Sequence, residues 1–225
     1  ILLACDGYLY AGKRISRMDV ETALVEQLPT VRSVLVIPYL TPDTDCSQLP
    51  HAVHFDQAIQ NATPITSFRQ MPFNAPLYIL YSSGTTGAPK CIVHGIGGTL
   101  IQHIKEHRLH TNLRAGDTLF YFTTCGWMMW NWLVSGLASQ ARIVLYEGNP
   151  AFPGPDRLWQ LAESEQINIF GTSAKYIDAV KNSGYRPAQH VELPALHSIL
   201  STGSPLSSDG FAFVYDAIKP DVQLC

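Results

Sequence analysis

Apolar runs too short to be helices recur along this chain, and most are separated by segments whose apolar residues fall at helical spacing. Ile1–Cys5, Val31–Ile37, Leu77–Leu80, Thr118–Thr123, Arg142–Tyr146, Ile167–Phe170 and His197–Ser201 read as strands, and the chain ends in another such run. Between them, Ser16 with Asp19 forms a capping-box pattern ahead of Val20, Leu24 and Leu28 on one helical face, closed by Pro29. Gly97–His110, Met128–Ala138, Asp156–Ser164, Ser173–Lys181 and Ser207–Ile218 also have helical character, with Leu100, Ile101 and Ile104 pointing inward in the first. Alternation of this kind predicts an α/β fold of largely parallel sheets covered by helices. A chain that is 46% hydrophobic and 15% charged can fill the core this requires.

The strand Leu77–Leu80 is expected to be buried, and it leads into Tyr81-Ser82-Ser83-Gly84-Thr85-Thr86-Gly87-Ala88-Pro89-Lys90. Gly84 and Gly87 can take positive φ and let backbone N–H groups approach an anion. The hydroxyls of Ser82, Ser83, Thr85 and Thr86 can donate to phosphate oxygens, and Lys90 supplies a compact counter-charge. The chemistry suits a nucleoside triphosphate. It is not the Walker A loop: only two residues separate the glycines, and Cys91 rather than Ser or Thr follows the lysine.

Thr202-Gly203-Ser204-Pro205 follows a strand, where Gly203 would admit close backbone approach by a flat ligand; an ordinary strand-to-helix turn has the same composition. Cys125 to Trp132 is dense in aromatic and methionine side chains, a composition shared by small-molecule pockets and plain cores. His103 and His107 lie one helical turn apart, without the H-E-x-x-H order or an obvious third ligand, so a solvated face is expected and no metal site. Gly12-Lys13-Arg14 is a basic turn.

Several classes are disfavoured. The formal net charge of −3 comes without a basic stripe, against nucleic-acid binding. Polar residues interrupt the uncharged stretch between Asp117 and Arg142, so no membrane span is expected. The five cysteines are dispersed and odd in number, which suits a reducing cytosol better than a disulfide framework.

Residues 79–90 resemble the signature loop of the adenylate-forming superfamily, which contains acyl-CoA synthetases, peptide-synthetase adenylation domains and luciferases. Asp6-Gly7-Tyr8, Gly12-Lys13, Gly126-Trp127 and Thr202-Gly203-Ser204-Pro205 follow in family order. The phrase Cys125 to Trp132 is similar to the subgroup that activates acetoacetate. The resemblance implies activation of a short-chain acid with ATP, Mg2+ and coenzyme A, through an acyl-adenylate. It assigns the ATP phosphates to Ser82–Gly87 and Lys90, with Lys90 catalytic. The adenine goes to Gly203, Ser204 (where the family has Glu) and Pro205. Trp127, Met128 and Met129 would wall the acyl pocket, and Lys13 would meet the CoA phosphates. It further implies that residues 1–225 are an incomplete N-terminal AMP-binding domain, without the family's C-terminal domain and inactive alone. Acetate or propionate as the acid, or a noncatalytic nucleotide-binding fragment, are the alternatives.

Overall fold

The structure, a computed structural model, describes residues 1–82 and 87–225. The chain divides into two compact units, residues 1–69 with 147–153 and residues 70–146 with 154–225.

The first unit holds β1 (Leu2–Cys5), β2 (Gly7–Tyr10), β3 (Lys13–Ser16), α1 (Met18–Glu26), β4 (Val34–Ile37), β5 (Ala52–His54) and α2 (Phe55–Ile59). β1, β4 and β5 form a parallel sheet in that order. Val34 and Val36, two apart on β4, point inward with Ala4, Val25 and Leu49. β2 and β3 pair antiparallel about Ala11-Gly12, both at positive φ, the twist a two-residue hairpin favours. Asp6 is buried, and its carboxylate accepts the N–H groups of Tyr39, Leu40 and Thr41 at 2.8 Å each and the Thr44 hydroxyl at 2.6 Å. Burial pushes its pKa up, but these donors outweigh that and leave it below the ordinary carboxylate value. Asp6 thereby ties β1 to the loop that follows β4.

Two expectations for α1 fail. Arg17, not Ser16, occupies the cap position; Ser16 Oγ only accepts a 3.4 Å bond from Met18 N. Val20, Leu24 and Leu28 are 46%, 40% and 36% exposed, and Val25 is the residue turned to the core. Helical spacing shows that a stripe exists, and the facing strand decides which stripe is covered.

The second unit begins with β6 (Pro76–Ser82) and β7 (Lys90–Gly95), then α3 (Ile96–Lys105), β8 (Thr118–Tyr121), α4 (Met128–Ser135), β9 (Arg142–Val144), α5 (Arg157–Ser164), β10 (Ile169–Ser173), α6 (Ala174–Asn182), β11 (Ser198–Thr202), α7 (Ser208–Phe213) and β12 (Gln223–Leu224). Five strands make one parallel sheet in the order β12-β11-β10-β8-β9. Leu119 and Tyr121 face one side of β8 with Ile169, Leu200, Trp132 and Leu133; Phe120 faces the other with Phe170 and Trp159, whose rings stack at 4.7 Å. Both faces are covered, which is why these strands read as continuous apolar runs. From β8 the chain steps to β9 on one side, then returns to β10 on the other, so the winding reverses between β8 and β10. Ser173 and Ser207 cap α6 and α7 through their Oγ atoms, at 3.2 Å from Tyr176 N and 3.1 Å from Gly210 N. Asp156 stands at the cap of α5, but its carboxylate takes the Gln160 amide instead.

β6 is not the buried strand expected. Among the described residues it pairs only with β7, antiparallel, and Leu77 and Ile79 are 48% and 52% exposed. α3 also differs. It widens into a π-helical turn at Glu106–His110; Leu100 and Ile101 are exposed, and the buried positions are His103 and His107. Among the described residues no helix is long and apolar enough to cross a membrane.

Candidate functional site

Ligands of wound parallel sheets bind beyond the carboxyl ends of the strands, where the winding reverses. A concavity of about 310 Å3 lies there, bounded by Tyr121 at the end of β8, Thr202 at the end of β11, Met128, Met129 and Trp132 of α4, and Glu106 after α3. Its walls are mostly apolar, with a few polar groups, as small-molecule sites usually are.

Tyr121 is the hinge of this arrangement. Its hydroxyl donates to Thr172 O at 3.0 Å and lies 2.9 Å from Thr202 Oγ1, which donates in turn, so the phenol ties the ends of β8, β10 and β11 together. Burial pushes the phenol pKa up, the Thr202 bond offsets part of this, and the group stays neutral. The ring fits because position 171 is glycine: a Cβ there would lie 2.0 Å from Tyr121 Cδ2.

Trp132 is 4% exposed and is held on every side. The His107 ring lies 4.0 Å from it, and Tyr121 meets it edge-on at 6.0 Å. Its indole N–H donates to Glu106 Oε2 at 2.8 Å, and Gln102 donates to Glu106 Oε1 at 2.5 Å. His107 Nε2 donates toward Trp132 O and Ser135 Oγ, 3.0 and 2.9 Å away, and His103 Nδ1 lies 3.0 Å from the same hydroxyl. His107 Nδ1 is buried without a hydrogen-bond partner. A second proton would therefore enter an apolar site with no acceptor, and burial lowers the His107 pKa to about 4 although the Trp132 carbonyl opposes the shift. The histidines join α3 to α4 rather than facing solvent, which corrects the expectation from sequence.

The expected site residues are placed as follows. Met128 and Met129 line the concavity; Trp127, 70% exposed, is not among its lining residues. Gly203 has φ +88°, a conformation that favours glycine, and the space where a Cβ would stand is open; Ser204 and Pro205 are exposed beside it. Ser82 and Lys90 pair across the mouth of the β6–β7 hairpin, and Lys90 and Gly87 are exposed. Ser83, Gly84, Thr85 and Thr86 lie outside the described residues. Lys13 belongs to the first unit, exposed beside the Ala11-Gly12 turn. The roles of Tyr121 and Glu106 escape a sequence reading because they depend on partners far along the chain, whereas Trp132 lies in the aromatic stretch from Cys125 that composition already marked. The nearest signal was the pairing of an aromatic at the end of one strand with a glycine in another.

The AMP-binding enzyme family matches residues 13–224. The chain belongs to that family. Among AMP-binding enzymes it is 50% identical over 232 residues to an acetoacetyl-coenzyme A synthetase of Rhizobium meliloti (strain 1021), and 44% identical over 230 residues to an acetoacetyl-CoA synthetase of Mus musculus. Each alignment covers 100% of this chain and 34% of the relative. The solved acetoacetyl-CoA synthetase from Streptomyces lividans superposes with a TM-score of 0.90 at 41% identity, over 99% of this chain and 34% of that one. The chain therefore spans about a third of the length of the AMP-binding enzymes it matches. The expected α/β architecture is that of this family.

Proposed function

We propose that the complete polypeptide carrying these residues activates acetoacetate with ATP and transfers it to coenzyme A. The observation that carries the reading is the mostly apolar concavity at the reversal of the sheet, walled by Met128 and Met129, in a chain similar from end to end to acetoacetyl-CoA synthetases. A carboxylate oxygen of the acid forms a bond to the α-phosphorus of ATP, the bond to the β-phosphate oxygen breaks, and pyrophosphate leaves. The CoA sulfur then attacks the acyl carbon, AMP leaves with the bonding pair, and the thiol proton passes to solvent.

In this reading Lys90 and the hydroxyl and N–H donors of Ser82–Gly87 neutralise charge as it grows on the leaving pyrophosphate. Gly203, Ser204 and Pro205 lie against the adenine, Met128 and Met129 contact the acid with Trp127 nearby in sequence, and Lys13 meets the phosphates of CoA. Among the described residues no group of three or more His, Cys, Asp or Glu side chains is placed to hold a metal ion; Mg2+ would enter on the phosphates of ATP. Residues 1–225 represent one part of an AMP-binding domain, and the cytosol is the compartment this chemistry suits.

The test is acid-dependent ATP–pyrophosphate exchange by the complete polypeptide with acetoacetate, acetate, propionate and butyrate. Strongest exchange with acetoacetate supports the reading. A preference for another acid overturns the substrate, and absence of exchange with all of them overturns the activity.

A further inference from the structure

We infer that Glu106 is a specificity-determining residue that bars acids with a second negative charge; the inference rests on reading the concavity at the sheet reversal as the acid site. Glu106 lines that concavity, and among the described residues that line it there is no Lys or Arg. Its two oxygens are engaged by neutral groups, the Trp132 indole N–H at 2.8 Å and the Gln102 amide at 2.5 Å. These bonds fix where the carboxylate stands without cancelling its charge. His110 shares the lining with Glu106, and the buried imidazoles of His103 and His107 do not cancel its charge either. His107 is held neutral by burial, and His103 is shifted the same way, by burial first, with Glu106 opposing.

The placement is built by the backbone. Glu106 opens the π-helical turn that ends α3, a widening often found at functional sites, and the adjacent His107 packs on the same indole. The result is a part-buried negative group, held in position, in a mostly apolar wall. An acid with one carboxylate and a neutral tail can turn that carboxylate away from Glu106. A dicarboxylate of the same length must bring one of its charges toward it. The same carboxylate holds the Trp132 wall, so a single side chain sets both shape and charge preference.

The experiment compares acetoacetate with succinate, which has the same number of carbons and a carboxymethyl group in place of the acetyl group. Acid-dependent pyrophosphate exchange is measured for the complete polypeptide and for Glu106→Gln, which keeps an acceptor for the indole and removes the charge. The expected result is a rise of tenfold or more in kcat/KM for succinate, with acetoacetate within about threefold. Glu106→Ala is run in parallel and should also raise the succinate-to-acetoacetate ratio, while weakening acetoacetate through the loosened indole. An unchanged ratio in both variants, or loss of exchange with every acid in both, overturns the inference. Met129→Ala separates this from the site assignment. If it alters the preference among acetoacetate, butyrate and hexanoate while Glu106→Gln leaves the succinate ratio unchanged, only the inference falls. If neither variant alters any preference, the concavity is not the acid site and both fall.

Discussion

His107 should act as an acid-labile link between α3 and α4. Its imidazole is fully buried, its Nε2 is committed to Trp132 O and Ser135 Oγ, and its Nδ1 has no partner. Folding therefore favours the neutral ring, and the pKa falls from 6.5 to about 4. A group whose folded pKa is depressed lends its full stability above the unfolded value and loses it as pH falls toward the folded one. The loss should begin near pH 6.5, reach about 2 kcal/mol at pH 5 and about 3 kcal/mol near pH 4. Two measurements check this. In the complete polypeptide with selectively 13C-labelled histidine, the Cε1–Hε1 signal that vanishes in His107→Gln should titrate with a midpoint near 4. The stability advantage of the parent over His107→Gln, read from denaturant midpoints, should shrink by about 2 kcal/mol between pH 8 and pH 5, since every other ionisable group is common to both proteins. A midpoint near 6.5, or a pH-independent gap, would refute the account of the buried ring.

Gly171→Ala should destabilise the protein by about 2–3 kcal/mol and shift Tyr121, because the new Cβ would meet its ring at 2.0 Å; thermal unfolding with acid-dependent exchange reads both effects. Asp6→Ala strands three backbone donors, while the Thr44 hydroxyl keeps the Thr41 carbonyl, and should cost about 3 kcal/mol, seen as faster proteolysis in the loop after β4; the parent's own Asp6 contribution should disappear only below the ordinary carboxylate pKa. Lys90→Ala should slow adenylation about 100-fold with little change in unfolding temperature, and an unaltered exchange rate would remove Lys90 from the chemistry. Residues 1–225 expressed alone should bind a hydrophobic dye through the outer face of the β6–β7 hairpin, where Leu77, Ile79, Tyr81 and Val93 are each about half exposed or more; the signal should fall with Ile79→Thr and Val93→Thr together.

The central sheet was legible because its strands are buried on both faces: Phe120, Ile169 and Ile199 sit in runs too short and too apolar to be anything else. The helices starting near Ser173 and Ser207 were legible from their apolar spacing, while their capping hydrogen bonds emerge only from the structure. What failed depended on distant partners. His103 and His107 look like a polar face until Trp132 and Ser135 arrive from another helix. The stripe Val20, Leu24, Leu28 looks like a core face until β4 packs against Val25 instead. Leu77–Leu80 has the composition of a buried strand, yet its only neighbour in the described residues is β7. The candidate site divided likewise: Met128 and Met129 stood out by composition, while Tyr121 required knowing that Gly171 lies beside it.

Ser82 and Lys90 face one another in the ladder of β6 and β7, and β7 runs through Gly95 straight into α3. The lysine is thus mounted on a ribbon whose two rails are bolted together. Its backbone cannot travel without dragging β6, so what Lys90 does quickly it must do by turning its own four-carbon stem, on a picosecond-to-nanosecond clock. Any slower displacement of that ribbon would be handed on mechanically to the helix whose far end bears Glu106.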